Sequence, residues 1–413
     1  MRTTTYASAE SRTLIAKILN KLEGLSKPTK KFFEATIILF LSMRGRINFK
    51  RMSRYGRYCE MTYHTQFAKG FDFLSFNSML CKEVFNGQVI LAFDASFIPK
   101  SGKHTPYLDN YYDGCSGKPS KGLEISSLSA VSLEDHTDIH LHTVQTQDQE
   151  TLARKGMSRI DYYAQVVIEI AFKVYEISRI LVVDGYFAKI SFLDEVCEQT
   201  EFTIISKARK DLDAMYLYKG PKKPGKGRPR VYDGKIDFKN IDKRRFKLRY
   251  EDEEVRLYQI ECRAKNLKRN LNLVYVEELE QGQPTGRYTL LFSTDMEMDA
   301  FFIWTAYKAR FQIEFLFRNG KQHLGLTHCQ SRNKKKLHYH FNMSLTSVNI
   351  AKAAHFLSLP REQRKGFSLE DIKIRYFNEL MLDLFLFHFE INPKLKKNKR
   401  PIESFLNFGR IAV

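Results

Sequence analysis

Two uninterrupted apolar runs, Val89-Ile90-Leu91-Ala92-Phe93 and Ile180-Leu181-Val182-Val183, each end in an aspartate, Asp94 and Asp184. A run of aliphatic residues with no polar alternation, four or five long, marks a strand covered on both faces. Strands of that kind need layers above and below, so these two runs demand a sheet with helices packed against it. The segments around them agree. Residues 122–133 and 138–147 read as strands joined by the turn Glu134-Asp135-His136-Thr137. Residues 159–179 carry apolar side chains at Tyr162, Val166, Ile170 and Val174, the spacing of one helix face. A helix over 188–199 and a strand over 202–207 follow. Three strands, helix, strand, helix, strand predicts a mixed α/β sheet.

The flanks differ in character. Residues 1–86 read as helices, with Ser26-Lys27-Pro28-Thr29 as a helix start and residues 30–43 as an apolar-rich helix. A short basic helix from Asn48 to a break at Gly56 precedes a second short helix over 60–69, which presents Thr62, Tyr63, His64, Thr65 and Gln66. Two short helices about a glycine turn fit a helix-turn-helix that touches DNA. Residues 211–294 read as a β-rich insertion, with strands expected near 246–250, 255–262, 271–277 and 288–292. Residues 295–332 resume the core, and 333–413 are read as a helical C-terminal region. Its basic run, Lys394-Leu395-Lys396-Lys397-Asn398-Lys399-Arg400, is expected to be flexible rather than folded.

Charge narrows the partners. Lysine and arginine number 67 against 47 acidic residues, a formal net charge of +20 over 413 residues. Such an excess predicts a polyanion, and nucleic acid is the natural one. A membrane partner is not expected, because the longest apolar candidate, residues 35–41, is too short to span. The segment Met1-Arg2-Thr3-Thr4-Thr5 lacks an apolar signal core, and six scattered cysteines form no Cys-x-x-Cys pair. A cytoplasmic, nucleoid-associated protein with reduced thiols is the expectation.

The chemistry concentrates in carboxylates. If the two apolar strands are neighbours, Asp94 and Asp184 meet at one sheet edge, where ligands bind in open α/β sheets. A third acid, Glu314, lies in the segment from Tyr307 through Arg310 to Lys321. On one continuous helix, at about 100° per residue, Tyr307 and Lys321 fall roughly 20° from Glu314 and Arg310 roughly 40°. The remaining positions (Phe302, Ile303, Ala306, Phe311, Ile313, Phe315, Leu316, Phe317) are apolar and expected to pack. Trp304 is read as core. Three hard oxygen donors among basic residues suit Mg²⁺, with Mn²⁺ an acceptable substitute, and a phosphate substrate.

These residues resemble bacterial insertion-sequence transposases of the DDE type, in the subgroup with a Tyr-Arg-Glu-Lys motif. The blocks Phe93-Asp94-Ala95-Ser96, Val183-Asp184-Gly185-Tyr186-Phe187 and Phe311-Gln312-Ile313-Glu314-Phe315 look like its three catalytic segments. The resemblance implies a ribonuclease-H-like core, split into 87–210 and 295–332 by the insertion, behind an N-terminal DNA-binding domain (1–86). It implies that Asp94, Asp184 and Glu314 are the catalytic metal ligands, and that Tyr307, Arg310 and Lys321 hold DNA phosphates. It further implies two-metal cleavage at the element's terminal inverted repeats, joining to target DNA, and a homodimer in the DNA complex. A flipped terminal base would need an aromatic shelf, for which Tyr288 is the candidate. Two other readings keep the same residues: a metal-dependent DNA nuclease that does not join strands, and a non-catalytic DNA-binding protein derived from a transposase.

Weaker signals complete the set. Gly227-Arg228-Pro229-Arg230 resembles the core of a minor-groove hook, with Lys222, Lys223 and Lys226 beside it as phosphate contacts. Lys100 and Lys103, just after the first strand, are further DNA candidates. His140 and His142, and likewise His338 and His340, are two apart without a third ligand at fitting spacing, so a structural role is the better reading than zinc.

Overall fold

A computed structural model describes residues 8–209, 211–221, 230–360 and 367–411. Five helices come first: α1 (Ala9–Lys21), α2 (Lys27–Ser42), α3 (Phe49–Tyr55), α4 (Glu60–Lys69) and α5 (Phe73–Val84). The Ser26 hydroxyl caps α2 at Thr29 N, and Asn48 caps α3 at Arg51 N. Gly56 is required between α3 and α4, since a Cβ there would meet the Tyr63 hydroxyl at 2.2 Å. Four strands follow: β1 (Val89–Pro99), β2 (Asp109–Asp113), β3 (Lys118–Ser132) and β4 (Thr137–Gln145). Next come α6 (Gln149–Arg154), α7 (Arg159–Val174), β5 (Ile180–Val183), a single helical turn at Gly185–Phe187, α8 (Ile190–Gln199) and β6 (Thr203–Lys207).

The β-rich stretch does not stand apart from this core. Its strands are β7 (Ala214–Leu217), β8 (Tyr232–Lys235), β9 (Lys247–Glu251), β10 (Val255–Ala264), β11 (Arg269–Glu280) and β12 (Gln283–Ser293). Antiparallel pairing of β12 with β6 (Leu291 with Lys207, Ser293 with Ile205) makes them one mixed sheet of 12 strands. Its order is β2-β3-β1-β5-β6-β12-β11-β10-β7-β8, with β4 on β3 and β9 on β10. This mixed α/β architecture is consistent with a ribonuclease-H-like core.

The register of β1 decides the site. Leu91, Ala92 and Phe93 pair in parallel with Leu181, Val182 and Val183. Asp94 and Asp184 are the next residues on two strands about 4.8 Å apart. Sequence patterning ends the first strand at Asp94, but β1 runs on to Pro99, because Ala95–Pro99 keeps pairing with β3 down to Gly122. Only the parallel partner stops. Alternation then sorts the faces: the ring of Phe93 packs edge-on against Phe187 and against Tyr163 of α7, so the Asp94 side chain leaves by the opposite face.

That face is covered by α9 (Ala300–Ala309) and α10 (Gln312–His323), which pack on β1, β5 and β6. A single continuous helix over 307–321 is not what forms. The ladder tightens at Arg310-Phe311, where Phe311 N bonds Lys308 O, Ile313 N bonds Arg310 O and Glu314 N bonds Phe311 O. Two further helices, α11 (Lys334–Leu357) and α12 (Leu369–His388), return to pack among α1, α2, α4 and α5. The basic tail is also folded: α13 (Lys396–Leu406) docks Ile402 and Leu406 on Leu382 and Leu386 of α12. Two apolar side chains one turn apart outweigh the local charge repulsion that favoured a flexible run.

Strand β4 is an edge, and α11 satisfies it with side chains. Asn349 Oδ1 accepts from His140 N (2.9 Å) and its Nδ2 donates to His140 O (2.7 Å). Asn342, two turns earlier, does the same for Thr143 N (3.0 Å) and Thr143 O (2.8 Å). Asn77 of α5 donates to Leu141 O. The asparagines mimic a further strand and close an edge that would otherwise invite pairing. His140 joins this layer through Asn342, and His142 packs edge-on to His338 at 5.6 Å. His340 bonds Gly325 O, so each of the four histidines makes a packing or hydrogen-bonded contact within the fold. Replacing Asn349 by Ala orphans two buried backbone groups and should cost about 2–4 kcal/mol. The check is the shift in urea midpoint; a loss below about 0.5 kcal/mol would mean that the edge finds other partners.

Candidate active site

Three carboxylates from distant parts of the chain are tied together through two side chains of the α9–α10 junction. Arg310 Nη1 donates to Asp94 Oδ2 at 3.2 Å, and its Nη2 donates to Glu314 Oε1 at 3.1 Å. Tyr307, three residues before Arg310, donates its hydroxyl to Asp184 Oδ1 at 3.0 Å. The guanidinium lies 5.7 Å from the Tyr307 ring centre. Asp94 Oδ1 takes the backbone N–H of Ala95 at 2.8 Å. The Ser206 hydroxyl on β6 donates to Asp184 O. The 3₁₀-like tightening at Arg310-Phe311 belongs to this geometry, since it sits between the residue that binds Asp94 and the residue that carries Glu314.

The electrostatics are those of an acidic cluster short of positive charge. Burial lifts the Asp94 carboxyl to about 6 from 3.8; Arg310 pulls it down, and the charges of Asp184 and Glu314 push it up again. Burial works against the Arg310 charge, yet Asp94 foremost holds the guanidinium above its ordinary value. The Tyr307 phenol is pushed upward, first by burial and then by the Asp184 charge. Three carboxylates against one guanidinium leave two negative charges to be met from outside. Arg310 Nε is buried without a hydrogen-bond partner.

Among the described residues, no group of three or more His, Cys, Asp or Glu side chains closes around a single metal position. Between Asp94 and Glu314 stands Arg310. The donor set still fits a hard divalent cation: oxygen ligands only, more carboxylates than cations, and one carboxyl whose ionisation burial holds back.

The other sequence candidates distribute as follows. Lys321 is half-buried; burial pushes its pKa down, and its charge meets Asp113 and Cys115 in the β2–β3 turn. Tyr288 on β12 stacks on Tyr275 at 4.9 Å and 18°, with about a third of its surface exposed. Lys100 donates to Cys329 O, while Lys103 is exposed. Arg230 pairs with Asp233 and lies over the Tyr218 ring. Lys222, Lys223, Lys226 and Arg228 lie outside the described residues. One position expected to be packed is not: Phe311, beside Glu314, is 47% exposed, with its ring edge-on to Phe315, whereas Trp304 packs on the core at its rim beneath Lys308. Apolar character alone could not separate a ring facing a groove from one facing the core.

The mixed sheet thus sets Asp94, within β1, beside Asp184, just past β5, and Arg310 joins Asp94 to Glu314. The chain belongs to the DDE superfamily endonuclease family, whose sequence profile matches residues 30–256. The matched span takes in Asp94 and Asp184 and ends before Glu314. No protein with a curated description matches the chain. Membership implies a nuclease or transposase acting on DNA. Among the described residues, no helix is long and apolar enough to cross a membrane.

The raised Asp94 carboxyl gives a signed expectation. Its folded value lies above its unfolded one, so its stabilising contribution is complete below about pH 4 and is lost as pH rises through about 6. In metal-free buffer, Asp94→Asn should therefore be more stable than the parent at pH 8, by up to about 3 kcal/mol, with the gap closing toward pH 4. Denaturant midpoints at the two pH values test this; a gap that ignores pH refutes it.

Proposed function

We propose that this protein is a DNA transposase, which cuts at the terminal inverted repeats of an insertion sequence and joins those ends to target DNA. One observation carries the reading: Asp94 and Asp184 are consecutive with paired residues on parallel strands, and Arg310 joins Asp94 to Glu314. In this reading Asp94, Asp184 and Glu314 would hold divalent ions, Mg²⁺ or Mn²⁺, which when bound would supply activation of a water or 3′-hydroxyl and charge neutralisation at the leaving oxygen. The chain's own side chains set the stage. The Tyr307 hydroxyl fixes the rotamer of Asp184. Arg310, nearly sealed from solvent, keeps the desolvated acids compensated. Lys321, on α10, adds positive charge toward the β2–β3 turn, and Tyr288 offers the exposed third of its surface to an unstacked base.

The Tyr-Arg-Glu-Lys spacing supports the bacterial insertion-sequence subgroup, and the helices α3 and α4 support an N-terminal DNA contact. A homodimer is supported by the C-terminal surface. Phe385, Phe387, Phe389, Phe405 and Phe408 are each 45–77% exposed. Phe387 lies about 200° round the α12 axis from Phe385 and from Phe389, so these rings open two faces, and a second copy of this chain is the proposed occupant. Changing Phe387 and Phe389 to Ser should shift the protein toward monomer in sedimentation velocity; an unchanged state removes this support.

The decisive experiment incubates purified protein with duplexes ending in the element's terminal repeats, plus Mg²⁺ and a supercoiled target, and sizes the products on a denaturing gel. Nicked and joined products establish transposition; nicks without joining would reduce the function to nuclease. Glu314→Gln should leave end binding within about threefold and lower nicking by at least a hundredfold, as loss of a charge-stabilising group does. Undiminished cleavage would dismiss the assignment of Glu314.

A further inference from the structure

A cleft of about 540 Å³ opens where three connecting segments meet, and its charged lining is of one sign. Arg46 comes from the α2–α3 connection, Lys100, Lys103 and His104 from the loop after β1, and His328 and Arg332 from the loop after α10. No carboxylate lines it, and among the described residues none of Arg46, Lys100, Lys103 or Arg332 is paired with one. By contrast, the neighbouring cavity that shares Lys103 carries Asp109, Asp148 and Glu150 against its cations.

The cleft is built rather than incidental. Ile47 N donates to His328 Nδ1 at 3.2 Å, which fixes the first and third segments together and leaves Nε2 to carry the imidazole proton. Lys100 Nζ donates to Cys329 O, which fixes the second to the third. Lys100 is half-buried, and burial pushes its pKa down; its one recorded hydrogen bond goes to a neutral carbonyl. One half-desolvated ammonium without a counter-ion, ringed by exposed cations, is the composition of an anion site.

Its position follows from two independent elements. Along β1, Asp94 is five residues from Pro99, about 17 Å at 3.4 Å per residue. Along α10, Glu314 is nine residues from His323, about 14 Å at 1.5 Å per residue. The first ruler ends on Pro99, which lines the cleft, and the second ends at His323, four residues before Thr327, the first lining residue of the third segment. Phosphates on one strand of B-form DNA advance 3.4 Å along the axis per step, so such a span covers about four to five base pairs.

We propose that this cleft is a second, non-reacting phosphate site, which grips the DNA backbone about four to five base pairs from the bond being cut. The proposal rests on the acid cluster being the reacting centre. The ligand is a phosphodiester of duplex DNA, belonging either to the element end or to the target. Arg46 and Arg332, both exposed at the rim, supply charge; Lys100 and His328 supply the floor.

The test uses full-length protein and duplexes carrying one neutral methylphosphonate at successive backbone positions, in the end duplex in one arm and in the target duplex in the other. Binding is read by gel shift without metal, and the cut site is mapped separately with Mg²⁺. A five- to tenfold loss of affinity is expected at one or two positions, four to five base pairs from the mapped bond, in one arm. That loss should vanish in R46A/R332A and return in R46K/R332K, while Asp94→Asn keeps it. A flat profile, or a peak that survives in R46A/R332A, overturns the cleft while leaving the cleavage reading intact. Salt dependence decides the matter even if no cleavage is seen. R46A/R332A should lower the slope of log K against log salt by about 1.8, for two phosphate contacts; an unchanged slope overturns the proposal.

Discussion

The parallel pairing of β1 with β5 is the constraint on which the rest of this molecule depends. Three residue pairs suffice, Leu91 with Leu181, Ala92 with Val182 and Phe93 with Val183. Because side chains alternate across a strand, a slip of one residue would turn Asp94 into the apolar layer beneath α7 and bring Phe93 to the groove. Fully buried aliphatic side chains on these strands make such a slip costly. Register and the geometry of the acid cluster are therefore one specification.

A second element completes it. The α9–α10 junction places a tyrosine, an arginine and a glutamate so that each meets a carboxylate or supplies one, and the short 3₁₀ stretch at Arg310-Phe311 is where the helix accommodates this. Arg310 is nearly sealed from water, with only a tenth of its side chain exposed. A buried guanidinium is stable there only because of the acids, and two mutually repelling acids are tolerated only because of it. The cluster and its tie stand or fall together. Behind them, the asparagine ladder of α11 along β4 fixes the outer edge of the sheet to the returning helices, so that N-terminal and C-terminal segments share one core.

Much of this was legible along the chain. The two apolar runs announced buried strands, the acids at their ends announced a site, and the spacing from Tyr307 to Glu314 matched a known family pattern. What escaped was of three kinds. Strand length beyond Asp94 was hidden, because an antiparallel partner, not an apolar run, sustains Ala95–Pro99. The helix over 396–406 was hidden beneath a lysine run, since its two anchoring side chains matter only once α12 is in place. The tightened turn in the Glu314 helix left no mark in residue types, and an ideal-helix projection passed over it.

The one-sign cleft shows the same limit from the other side. Arg46, Lys100, His328 and Arg332 are dispersed by up to 286 positions and match no motif, so only tertiary packing makes them neighbours. Sequence by itself determined the mixed α/β class and the polyanionic partner, because burial patterns and net charge are properties of residues in order. Tertiary structure alone decided the register that sets Asp94 beside Asp184, the guanidinium that stands between Asp94 and Glu314, and the faces left open. Those depend on distances between segments remote along the chain, which packing sets and local order does not encode.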